Sequence, residues 1–168
     1  MTVFVLVTTL LVTADQLTKI WAANSFTLGD IGRYVGFGFY LTYVQNTGAA
    51  FGILQNGTLI LGIVSAVVSL LLLTFMLTRQ RDMSRLQRAA FTLILAGALG
   101  NMIDRFRLGY VIDFIHFKLP RFDFPVFNLA DSFVVVGAAL LLGSSLFNRS
   151  RPDKPENDAD VSSFQLPY

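Results

Sequence analysis

The sequence predicts an all-α membrane protein of four transmembrane helices, with a small extramembrane β-cradle on its outer face. Three observations predict it. Of 168 residues, 54% are hydrophobic and only 14% charged, against about 25% charged in soluble domains, and the mean hydropathy is +0.59. Several apolar runs come near the roughly 20 residues that a helix needs to cross a bilayer. Between the first two lies a glycine- and aromatic-rich segment with strand-forming composition. The length suits one domain, placed at residues 1–148, followed by a polar, acidic, Pro-containing tail at 149–168 that reads as disordered and cytoplasmic.

The first helix is expected over about 2–23. It has no basic n-region and no good A-x-A-like site after it, so it reads as a retained span rather than a cleaved leader. Asp15 and Lys19 within it are spaced i,i+4 and share a face where they can pair. The segment 24–57 contains Tyr34-Val35-Gly36-Phe37-Gly38-Phe39-Tyr40-Leu41-Thr42-Tyr43-Val44 and then Gln45-Asn46-Thr47-Gly48. Stranded backbone cannot face lipid with open hydrogen-bonding groups, so the cradle is expected at the interface, with Tyr40 and Tyr43 as anchors. The second helix is expected over about 58–78, the third over 89–105 and the fourth over 126–147, with an aromatic, irregular stretch at 106–125. The loop at 79–88 holds Arg79, Arg81, Arg85 and Arg88, and the tail adds Arg149, Arg151 and Lys154, whereas 24–57 holds only Arg33. The positive-inside rule then puts both termini and that loop in the cytoplasm. The basic residues Arg105, Arg107, Lys118 and Arg121 argue the other way, but helix parity keeps 105–125 outside with the cradle.

Composition also narrows the chemistry. A net charge of +2, with no basic–aromatic stripe, argues against nucleic-acid binding. The absence of cysteine excludes disulfides, thiolate metal sites and a cysteine nucleophile. A single histidine, His116, makes a multi-histidine metal site or a serine–histidine hydrolase hard to build. No metal and no cofactor is expected, and carboxylates are left as the chemical actors.

Those carboxylates concentrate between Gly97 and Asp131, where Asp104, Arg105, Asp113 and Asp131 occur with Asn101 and Asn128. Ionisable groups beside hydrocarbon are costly and read as functional. Asn101 and Arg105 share a face of the third helix, and Asn128 and Asp131 share a face near the outer end of the fourth. Parity brings these and Asp113 to one depth. Two neighbouring carboxylates cannot both ionise easily, so such a pair holds one proton near neutral pH. One aspartate can then act as base on a water while the other polarises a carbonyl. The same acids also suit structural ion pairs, with Asp104 positioning Arg105, or a small proton- or cation-coupled transporter. Transporter acids sit near the bilayer midplane, often in inverted repeats, and neither feature is visible here. A non-catalytic scaffold is the third alternative. Asn46 and Gly48 suit either a turn or contact with an extended peptide backbone. The glycines at 97 and 100 suit close helix packing, and His116 and Lys118 suit the interface.

Five blocks occur in order: Asp15-Gln16-Leu17-Thr18-Lys19; Asn46-Thr47-Gly48-Ala49-Ala50-Phe51; Gly100-Asn101-Met102-Ile103-Asp104-Arg105; Val111-Ile112-Asp113-Phe114-Ile115; and Phe127-Asn128-Leu129-Ala130-Asp131-Ser132. Together, on this hydropathy pattern, they resemble lipoprotein signal peptidase, the type II signal peptidase of bacteria. The resemblance implies an inner-membrane aspartic endopeptidase that cuts prolipoproteins just before a cysteine already carrying diacylglycerol. It implies Asp113 and Asp131 as the catalytic pair. It makes Asn46, Asn101, Arg105 and Asn128 substrate-binding or supporting residues and Asp15 a supporting one; from the residues themselves Gly48 goes with Asn46 as substrate-binding or supporting, and Lys19 and Asp104 are read as structural support. It further implies membrane lipid and lipid-modified prolipoproteins as partners, and globomycin-type inhibitors in the same cleft.

Overall fold

The computed structural model describes residues 2–30, 32–48, 57–79 and 81–148. Eight elements follow in chain order: α1 (Thr2–Ser25), β1 (Arg33–Gly36), β2 (Phe39–Asn46), α2 (Thr58–Arg79), α3 (Arg85–Leu108), β3 (Val111–Leu119), β4 (Phe122–Asp123) and α4 (Leu129–Asn148). Of these, α1, α2 and α3 are long and apolar enough to cross a membrane, and α4 carries a shorter apolar stretch, Leu129–Ser145. Their outward faces are bare hydrocarbon: Val3 is 73% exposed, Leu70 64% and Leu142 69%. Such faces suit lipid rather than water. The tail at 149–168 and residues 49–56, including part of the expected cradle, lie outside the described residues.

The helices pack around α3, which contacts α1, α2 and α4. On α2 the buried positions are Thr58, Gly62, Ser69 and Met76, a single stripe, so one side meets protein and the rest is free for lipid. Glycine brings α3 close to its neighbours. A Cβ on Gly97 would run into the backbone oxygen of Ala130 on α4, and one on Gly100 would lie 2.5 Å from Asp15 Oδ2 on α1.

Local chemistry sets the helix ends, and three of them, both ends of α3 and the start of α4, differ from the sequence expectation by three or four residues. α3 starts at Arg85 because Ser84 and Gln87 form a reciprocal capping box. It continues to Leu108, where Gly109 at φ 78° closes it with its N–H on Arg105 O. α4 starts at Leu129 because Phe127 remains bonded to β3: its N–H donates to Ile115 O at 2.9 Å, and its carbonyl accepts from Phe114 N and Ile115 N.

The sheet is an antiparallel meander of order β1-β2-β3-β4. It is not confined to 24–57 as the composition suggests. Half its strands come from the stretch after Gly109, where charges and an aromatic run obscure the alternation. Between Leu41 and Val44 the β2–β3 register slips by one residue, from Leu41 opposite Ile115 to Val44 opposite Asp113. A slip of one residue exchanges the two faces of a strand. Val44 and Asn46 thereby share a face with Asp113. In the unslipped register Asp113 would face Tyr43, and Asn46 would point to the opposite side. Tyr43, expected as an interface anchor, is buried at 9% exposure, with its hydroxyl accepting from Gln45 Nε2 at 2.8 Å. Its neighbour Thr42 is also buried, its hydroxyl donating to Asp30 O at 2.8 Å.

Candidate active site

Four pieces of backbone converge on one cavity of about 920 Å³, which Asn46, Gly48, Asn101, Arg105, Asp113 and Asp131 help to line. β3 delivers Asp113, fixed from behind where Ile112 N donates to Asp104 Oδ2 at 3.2 Å. The Phe127–Ile115 pairing lays the start of α4 along β3. There Asn128 caps the helix: Asp131 N donates to Asn128 Oδ1 at 2.9 Å, and Asn128 N donates to Asp131 Oδ2 at 3.2 Å. This is a capping box with aspartate in the glutamate place, and it sets Asp131 where helix N–H groups favour an anion. α3 supplies Asn101 and Arg105.

Carboxamides link the two acids. Asn128 Nδ2 donates to Asp113 Oδ1 at 2.7 Å, and Asn101 Nδ2 donates to Asp131 Oδ1 at 2.7 Å. The two amides are themselves joined, Asn128 Nδ2 to Asn101 Oδ1 at 3.1 Å. Asn46, brought to this face by the slip in β2, donates Nδ2 to Asp113 Oδ2 at 2.9 Å while its Oδ1 accepts from Gly48 N at 3.0 Å. Asn46 thus makes the turn weighed for it and also bonds Asp113. Asp113 is only 2% exposed. Burial, reinforced by the charge of Asp131, pushes its carboxyl up to about 7, against the opposing pull of the Asn46 and Asn128 hydrogen bonds and the charge of Lys19.

Arg105 reaches Gly48 O at 3.4 Å and Asn101 O at 3.5 Å, long contacts both, and its buried Nε has no partner among the described residues. Arg105 also lines the cavity. Asp104 does not position Arg105 by an ion pair. It meets Lys19 Nζ at 2.9 Å, and Gln16 Nε2 donates to its Oδ1 at 2.9 Å, because adjacent residues on a helix point about 100° apart. Lys19 also pairs with Asp15 at 2.9 Å, as the i,i+4 spacing predicts. Asp15 Oδ1 in turn accepts from Ala130 N at 2.9 Å, tying α1 to α4. The sequence reading passed over Gln16, whose amide spans Asp15, Gly100 O and Asp104; a polar residue on the Asp15–Lys19 segment of an apolar helix was the available signal. His116 and Lys118 lie apart from this cavity. Both bond to Asp123, at 2.6 and 2.9 Å, and hold its exposed carboxyl below the usual range. No group of three or more metal-ligating side chains occurs among the described residues.

The same arrangement of chain is found in known proteins. The family described as signal peptidase (SPase) II matches residues 7–147. The chain belongs to the signal peptidase II family. A lipoprotein signal peptidase of Caldanaerobacter subterraneus is 49% identical over 130 residues, covering 76% of this chain and 84% of that protein. One from Clostridioides difficile is 41% identical over 148 residues, covering 88% and 97%. Among solved structures, a bacterial membrane enzyme obtained by the in meso method superposes with a TM-score of 0.82 at 31% identity, covering 93% of this chain and 95% of that one. A second, described in the same words, gives 0.75 at 32% identity, covering 87% and 94%. The signal peptidase II chain is therefore a multi-pass bacterial membrane peptidase of lipoprotein processing, and the transporter alternative finds no support.

Proposed function

We propose that this signal peptidase II is an aspartic endopeptidase that removes the signal peptide from diacylglyceryl-modified prolipoproteins, cutting just before the lipidated cysteine. The observation that carries the reading is the pair Asp113 and Asp131 on one cavity wall, cross-linked through Asn101 and Asn128. The assignment of acid and base follows from their surroundings. Asp113, with its carboxyl near 7, carries the shared proton, and Asp131, at the helix N-terminus, acts as base. Asp131 takes a proton from water as the oxygen attacks the scissile carbonyl carbon, while Asp113 gives its proton to the carbonyl oxygen. The resulting diol collapses: Asp131 passes its proton to the amide nitrogen, the C–N bond breaks with the amine leaving, and Asp113 recovers its proton from one diol hydroxyl as that oxygen becomes the new carbonyl. The pair ends with one proton, as it began. Arg105 and the Asn46–Gly48 turn are placed to hold the substrate backbone, with Asn101 and Asn128 orienting the acids and Asp15, Lys19 and Asp104 supporting them.

The substrate is an apolar signal helix anchored by acyl chains, so it is presented from within the bilayer. The cavity suits such entry because Val134, Val135 and Val136 on α4 border it beside the acids. In this reading α4 is the fourth span, since 20 residues extend about 30 Å. The sheet and the acids then lie at the outer face of the inner membrane, both termini in the cytoplasm, and globomycin-type inhibitors occupy the cavity. The exposed sheet aromatics support an interfacial place, with Phe37 at 93% and Tyr34 at 60% exposure. The test is cleavage of a diacylglyceryl-modified prolipoprotein in lipid. Asp113→Asn and Asp131→Asn are each expected to lose at least about 1,000-fold in rate while inserting normally, the scale on which losing a member of a concerted catalytic group is felt. Retained cleavage in either variant refutes the pair.

A further inference from the structure

We infer that Lys19, which does not line the cavity, is a positioning residue for the reaction: its ammonium fixes the carboxamide of Asn101 so that the NH2 faces Asp131. The inference deepens the reading above and rests on it. Lys19 is 1% exposed, and its nitrogen makes three 2.9 Å contacts, to Asp15 Oδ2, Asp104 Oδ2 and Asn101 Oδ1. Two carboxylates meet its charge, and its third N–H is satisfied by the Asn101 amide oxygen. An ammonium has donors and no acceptor. The atom of Asn101 that faces it must therefore be the oxygen, and the NH2 is left to donate to Asp131 Oδ1 at 2.7 Å.

The opposite amide orientation would set NH2 against the ammonium and carbonyl oxygen against the Asp131 carboxylate, two repulsions in place of two bonds. Asn128 Nδ2 also donates to Asn101 Oδ1, at 3.1 Å, but that bond joins neutral groups, whereas charge-assisted bonds are roughly twice as strong. Asn128 is independently fixed because its oxygen faces the backbone N–H of Asp131. Lys19 is thus the charged start of a chain that runs through Asn101 to Asp131 and through Asn128 to Asp113. Removing it leaves the oxygen of the first amide held only by the weaker neutral bond from Asn128, so the donor that holds the Asp131 carboxylate in place is loosened.

The experiment uses the purified full chain in lipid with a diacylglyceryl-modified prolipoprotein. Because Lys19→Met alone strands two buried acids, the test variant is Lys19→Met with Asp104→Asn, which keeps the net charge of the cluster, compared with Asp104→Asn as reference. The double variant is expected to lose about 10- to 100-fold in kcat, the scale of a small misplacement of catalytic groups, with KM changed by less than about 3-fold. In an Asn101→Ala background the same replacement of Lys19 should change kcat by less than about 3-fold, because coupled residues are not additive. An unchanged kcat, losses that multiply in the Asn101→Ala background, or a double variant that no longer folds would each overturn the inference and leave Lys19 a structural ion. An inactive parent chain would instead overturn the functional reading, and the inference with it.

Discussion

At the scale of single residues, the site is defined by which atoms are forced to be donors. Among the described residues, the three carboxamides bonded to Asp113 and Asp131 each have the oxygen occupied by an obligate donor: Lys19 Nζ for Asn101, Asp131 N for Asn128, Gly48 N for Asn46. Each NH2 is consequently turned to a carboxylate. The Asn46 bond favours the ionised form of Asp113, so Asn46→Ala should raise that carboxyl further above about 7 and move the alkaline limb of the cleavage profile to higher pH. The same group links stability to pH. Its folded value near 7 lies above the ordinary 3.8, so its contribution is fully present below about pH 4 and is lost as pH rises through 7. Asp113→Asn removes that loss: relative to wild type, its melting temperature is expected to gain between pH 4 and 8, read by thermal unfolding in detergent. A gain that shrinks with rising pH would contradict the buried, proton-holding carboxyl.

At the scale of elements, two small features deliver these residues. One is the register slip in β2, which turns Asn46 to the Asp113 face. The other is the glycine at 97, which lets α4 lie against α3 close enough for Asn101 to reach Asp131. Gly97→Ala is expected to destabilise by about 1–3 kcal/mol, as overpacking does, and to reduce cleavage because the helices carrying Asn101 and Asp131 separate. Normal stability and rate in that variant would show the packing to be looser. The helices were legible in the sequence because 20-residue apolar runs have few other uses. Their ends were less so at α3, where the Ser84–Gln87 cap precedes the apolar run, and at α4, where Phe127 looks helical but pairs with Ile115. The strand β3 was hidden because a strand buried over four residues and carrying an acid shows no alternation.

At the scale of the whole molecule, α3 is the hub, and it carries polar residues through the middle of the bundle to meet α1 on one side and α4 on the other. The five sequence blocks marked the residues of this network, and their order along the chain gave the family. The sequence did not disclose that the Asp15–Lys19 pair reaches the acids, since that path crosses three helices and depends on which way an amide faces. Topology offers its own check, because the chain has no native cysteine. Single cysteines at Phe37 and at Arg81 should be labelled by a membrane-impermeant maleimide only from outside and only from inside, respectively. Labelling of both from one side would contradict the four-span arrangement.

The claim at the centre is that Asp113 and Asp131 work as a pair sharing one proton, and the pH dependence of single-turnover cleavage tests it most directly. The rate is expected to fall across an alkaline limb near pH 7, where Asp113 gives up the shared proton. A rate that stays level from about pH 5 to 9, with chemistry shown to be the limiting step, would contradict it.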